Sequence, residues 1–130
     1  MKEKEIQNDI LLDLNGNGVR LWRNDTGTCF QGKGTRYKGT MLIKDPKTIS
    51  YGLCKGSSDI IGFISKEITE DMVGQVAAIF TALEVKTPKG KATEEQEAFV
   101  KLVNESGGIA GIVRSVEEAQ EVVDGQQRAI

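Results

Sequence analysis

The chain has 130 residues, with Lys plus Arg 17 against Asp plus Glu 19, 38% apolar residues, 15 Gly, two Cys and no His. That size and composition suit one globular domain with a moderate core. The missing imidazole excludes Ser-His-Asp and Cys-His hydrolysis, His-based acid-base catalysis and His-ligated zinc, so any chemistry must come from Asp, Glu, Lys or a hard cation.

In chain order, Ile6, Ile10, Leu11 and Leu14 fall at helical spacing and predict an amphipathic helix over Glu3–Leu14, stopped by the Asn-Gly pairs at 15–18. Val19–Trp22 alternates apolar and basic residues as a half-buried strand does, and a loop is expected from Asn24 to about Gly39. Met41–Ile43 and Ile49–Leu53 read as two short strands separated by a turn at Asp45-Pro46. Asp59–Ile64 and Val76–Lys86 are apolar and β-branched enough for strands, the second near a sheet centre. Thr93-Glu94-Glu95-Gln96 has the form of a capping box, and Phe99, Val100 and Val103 give the buried stripe of a helix that Gly107-Gly108 ends. Ile109–Val113 is a short buried strand, and Ser115-Val116-Glu117-Glu118 is a second capping box, opening a helix expected to fade near Asp124. The expectation is a single α/β domain over residues 1–124, with a frayed tail from Gly125 to Ile130.

No apolar run approaches the ~20 residues of a membrane span, and the charged start MKEKEIQND is unlike a signal peptide. A cytoplasmic protein with no membrane partner is expected. Cys29 and Cys54 form no CxxC pair and read as free thiols.

The net charge of -2 conceals an asymmetry. Arg20, Arg23, Lys33, Arg36, Lys38, Lys44, Lys47 and Lys55 face only Asp25 and Asp45 in the same segment, about +6, leaving about -8 for the rest. The segment is Gly-rich and interleaved with Trp22, Phe30, Tyr37 and Tyr51, as suits an arm that contacts a polyanion. Gly27–Lys33 also matches the GxxxxGK of a phosphate-binding loop. Gly34 stands where the magnesium-binding hydroxyl belongs, however, and no helix pattern opens there, so no nucleotide cofactor is expected.

A second constellation lies later. Glu84 and Lys86 are two apart in a strand and share a face, where burial of two charges needs compensation. Asp59, at the start of another strand, can supply the second carboxylate. Two carboxylates with a backbone carbonyl such as that of Val85 make a hard-oxygen site for Mg²⁺ or Mn²⁺. Such an ion polarises a phosphodiester, while Lys86 serves the attacking water and balances charge.

Asp59, Glu84-Val85-Lys86 and Gln96 in a following helix together resemble the PD-(D/E)XK nuclease superfamily. The further segments Glu5-Ile6-Gln7, Trp22–Gly27, Ser58–Gly62 and Lys91–Gln96 narrow the resemblance to its VRR-NUC branch, over nearly the whole chain. Ser58 stands where the superfamily name has Pro. The resemblance implies a restriction-endonuclease-like core in αβββαβα order, a mixed central sheet flanked by helices. It implies that Asp59 and Glu84 hold the ion, that Lys86 serves the water, that Glu5 (with Glu3 as competitor) faces the site from the first helix, and that Gln96 supports it. Small members of the branch resemble Holliday junction resolvases that act as homodimers on branched DNA. Arg23, Asn24, Lys33, Arg36 and Lys38 are then the expected DNA contacts. A flap or single-strand nuclease, and a nuclease-fold protein that binds without cutting, are the alternatives.

Overall fold

Helix α1 runs over Glu3–Leu14, as its apolar spacing predicts. The Lys2 backbone N–H donates to Glu5 Oε2 at 2.8 Å and closes its first turn. Asn15 ends it: its amide donates to Leu11 O at 2.9 Å and its Oδ1 accepts from Leu21 N at 2.7 Å, so one side chain satisfies a helix carbonyl and fixes the following strand. In this computed structural model residues 2–129 are described, with side chains through residue 125. The chain divides into two units, Met1–Gly62 and Phe63–Ile130.

In the first unit, β1 (Val19–Arg23) pairs with β4 (Ile60–Ile64), which begins in this unit. Gly62 permits that pairing, because a Cβ there would collide with the Arg20 carbonyl oxygen. The expected loop of 24–39 is instead mostly strand. β2 (Gly27–Tyr37) and β3 (Thr40–Tyr51) form a long antiparallel hairpin. Its two-residue turn, Lys38-Gly39, has positive φ at both positions, the geometry that matches the twist of the flanking strands. Asp45-Pro46, expected as a turn between two strands, lies within the single strand β3, where the register slips by one residue.

In the second unit, β5 (Thr81–Val85), α2 (Glu94–Glu105) and β6 (Ile109–Val113) form a parallel strand pair joined by a helical crossover. The strand expected over Val76–Lys86 is confined to Thr81–Val85, and a short 3-10 turn occupies Glu70–Met72. Val103, Ile109, Ala110 and Val113 are buried and make the core. Asn104 joins helix to strand twice, since its Nδ2 donates to Ala110 O and its Oδ1 accepts from Ala110 N, both at 2.9 Å. α3 (Val116–Ala129) follows, and Ser115 Oγ accepts from Glu118 N while Glu118 Oε2 accepts from Arg114 N. The helix continues past Asp124, through most of the expected tail; Ile130 lies outside the described residues.

The architecture is thus mixed α/β, with three helices and three two-stranded ladders among the described residues. Among those residues no helix is long and apolar enough to cross a membrane. Cys29 and Cys54 are free and exposed.

Candidate active site

Strand β5 alternates in exposure, with Ala82 and Glu84 half-buried and Thr81, Leu83 and Val85 exposed. Glu84 and Lys86 therefore share the sheltered face, where helix α2 supplies Gln96. Lys86 Nζ lies 3.2 Å from Glu84 Oε1, with 20% of the Lys86 side chain and 33% of that of Glu84 exposed. Gln96 Nε2 donates to the same Oε1 at 2.7 Å. The other end of the amide is also engaged, because Gln96 Oε1 accepts from Thr93 N at 2.9 Å and Thr93 Oγ1 accepts from Gln96 N at 3.2 Å. The capping box that starts α2 is thus one end of a chain of hydrogen bonds that terminates on the Glu84 carboxylate.

Oε1 takes both donors, and among the described residues Oε2 takes none. A second oxygen is aimed by the ladder itself. Lys86 N donates to Val113 O at 2.9 Å, and because the peptide is trans and planar, the Val85 carbonyl points the opposite way, off the edge of β5 that faces away from β6. A free carboxylate oxygen and a backbone carbonyl are hard donors of the kind Mg²⁺ and Mn²⁺ take. Among the described residues no three His, Cys, Asp or Glu side chains converge, so such an ion would complete its shell with water and with other groups. A cleft of about 370 Å³ opens beside Glu84, lined by Ala82, Leu83, Glu95, Gln96, Phe99 and Val100. Glu95 was assigned only to the helix start by sequence; its place on the cleft wall follows from the helix phase set by Thr93.

The remaining candidates lie in the first unit. Asp59 is exposed at the entry to β4, and its backbone carbonyl accepts from Asn24 N at 2.8 Å. Glu5 is exposed and spends Oε2 on the start of α1; Glu3 sits in the same turn. Arg23 donates from Nη1 to Gln7 Oε1 at 2.7 Å and from Nη2 to Asn8 Oδ1, fastening α1 to β1. Asn24 is 7% exposed. Its Nδ2 donates to Ser57 Oγ at 2.7 Å and to Ser58 O at 2.9 Å, and its Oδ1 accepts from Leu53 N at 3.0 Å. With both amide hydrogens donated and Oδ1 accepting, Asn24 holds the loop that precedes Asp59. Lys33, Arg36 and Lys38 are exposed on the hairpin, and Lys38 Nζ lies 5.3 Å from the centre of the Tyr37 ring.

The family model for the VRR-NUC domain matches residues 1–117. The chain belongs to the VRR-NUC family. A VRR-NUC domain is a nuclease domain, which makes this protein a nuclease with DNA as its substrate. No curated protein and no solved structure matches the chain. The VRR-NUC match takes in both units as far as the first residues of α3, and so includes Asp59, Glu84, Lys86 and Gln96.

Proposed function

We propose that the protein is a metal-dependent, structure-selective DNA endonuclease that resolves four-way junctions as a homodimer on a PD-(D/E)XK core. The observation that carries this reading is the divided carboxylate of Glu84, with Oε1 held by Lys86 and Gln96 and Oε2 left open beside the outward Val85 carbonyl. Asp59 and Glu5 of the first unit are the further carboxylates that the family resemblance implies for such a set. Glu84 and the Val85 carbonyl, together with the Asp59 that the family resemblance adds, would hold Mg²⁺ or Mn²⁺, and the ion would supply Lewis-acid charge at the scissile phosphate. Lys86 orients the attacking water and offsets the negative charge that builds on the non-bridging oxygens. Gln96 keeps the Glu84 carboxylate in one plane, so that its open oxygen faces a fixed direction. Paired incision of a junction needs two such centres related by a two-fold axis, and one chain supplies one.

A mobile four-way junction and a flap, each incubated with Mg²⁺ or Mn²⁺, test the reading. Paired symmetric nicks are expected on the junction, and cutting should stop with chelator or in Lys86→Ala while junction binding persists. One-sided trimming of the flap alone would replace the resolvase assignment with a flap nuclease. Full cutting by Lys86→Ala, or none by the wild type on any branched or single-stranded DNA, would overturn it.

A further inference from the structure

The hairpin bears lysines that the cleavage chemistry does not use, and its register sorts them. Lys33 of β2 stands directly opposite Lys44 of β3. Like charges so placed oppose strand pairing unless an anion lies between them. Gln31, two residues before Lys33 and therefore on its face, is opposite Lys47. Lys44 and Lys47 are three apart, a spacing that in an unbroken strand sends side chains to opposite faces. The register slip, with Asp45 at a φ of 48°, inserts one residue and returns both to the face of Lys33. The bulge therefore gathers three ammonium groups on one side of the ribbon. The other side carries Phe30, Ile43 and Met41, with Arg36 opposite Met41.

All three lysines are exposed, and among the described residues none has an acidic partner; the ion pairs there join Lys86 to Glu84 and Lys101 to Glu105. An uncompensated cationic face on a two-stranded ribbon complements a phosphate backbone, and such a ribbon is narrow enough to lie against a duplex groove. Single-strand binding relies on aromatic stacking, whereas of the tyrosines on this face Tyr37 is met by Lys38 and Tyr51 lies across Gly27 at the far end of the ladder.

We infer that Lys33, Lys44 and Lys47 form a docking surface for the phosphate backbone of double-stranded DNA, with the bulge at Asp45-Pro46 as the element that assembles it. The choice of DNA rests on the nuclease reading; the sorting of charge does not.

The test measures affinity of the full chain for a fluorescent duplex against salt, with chelator present so that nothing is cut. Each phosphate contact contributes about 0.9 to the slope of log K on log salt, so Lys33→Gln/Lys44→Gln/Lys47→Gln should flatten the slope by about 2.7. The affinity lost between about 50 and 200 mM salt then shrinks by roughly 40-fold. Lys101→Gln, which removes an exposed cation of α2 that already pairs with Glu105, should change the slope by well under the about 0.9 of one phosphate contact. The melting temperature of the triple variant should not fall, since an opposed like-charge pair is removed. An unchanged slope in the triple variant, with wild-type binding and cutting intact, overturns this inference and leaves the nuclease reading standing. So does a loss in Lys101→Gln equal to that of Lys33→Gln, Lys44→Gln or Lys47→Gln alone, or a change of oligomeric state without a change of slope. A wild type that neither binds nor cuts DNA overturns both.

Discussion

Replacing Asn24 by Ala removes three hydrogen bonds from a side chain that is 7% exposed: two donated by Nδ2 to Ser57 Oγ and Ser58 O, and one accepted by Oδ1 from Leu53 N. At about 1 kcal/mol net for each bond, the loss is about 3 kcal/mol, a large share of the roughly 5–15 kcal/mol that keeps a domain folded. Asn24→Asp is the sharper probe because it changes shape hardly at all. It keeps the acceptor for Leu53 N but turns a carboxylate oxygen towards the Ser58 carbonyl, so its cost should equal or exceed that of Ala. Urea unfolding measures both, and at a slope of about 2 kcal/mol per M the midpoint should fall by about 1.5 M. Hydrogen exchange should accelerate at the Leu53 amide in the Ala variant more than at amides of α2. An Asn that pointed into solvent to meet DNA would tolerate Asp within about 0.5 kcal/mol. That result would refute the anchoring role and restore Asn24 as a contact residue.

The two functions of the α2 start can be separated. Thr93→Ala removes one half of the capping box and should cost about 1 kcal/mol of stability with most cutting retained, whereas Gln96→Ala should cost a similar amount and also lower cleavage, as read by denaturation and a junction assay in parallel. Equal cleavage in the two variants would contradict a separate contact to Glu84. Gly62→Ala forces a methyl group against the Arg20 carbonyl and should destabilise by about 2–3 kcal/mol; a neutral result in thermal unfolding would show that β1 and β4 do not approach so closely.

The elements that sequence located best are those whose signals are local. α1, α2 and β6 follow from apolar spacing and from caps within four residues, and Glu84, Lys86 and Gln96 come together because strand and helix periods alone aim them. The hairpin was hidden for the opposite reason. With residues of both its faces largely exposed, β2 shows no alternation of apolar and polar positions, and its three glycines read as loop; its strand character comes from pairing with β3. Asp45-Pro46 has the local chemistry of a turn and serves as a bulge, a choice that only the partner strand decides. Val76 is apolar but fully exposed and outside any strand, since nothing in its own neighbourhood reveals whether a ladder will reach it. Arg23 and Asn24 read from sequence only as polar residues of a basic segment. Their partners, Gln7 and Asn8 for one and Leu53, Ser57 and Ser58 for the other, are distant in sequence and leave no local trace.

A capping box closes equally well with Glu or Gln at its third helical position, and the helix alone gives no reason to prefer either. Here the residue must also give a hydrogen to a carboxylate, which only the amide can do at neutral pH. Glutamate would cap the helix just as firmly while setting a second negative charge against Glu84, and would compete with it for the Lys86 ammonium group. The preference for glutamine at position 96 is therefore imposed from outside the helix, and a Gln96→Glu variant would carry a well-formed α2 beside a carboxylate turned from its place.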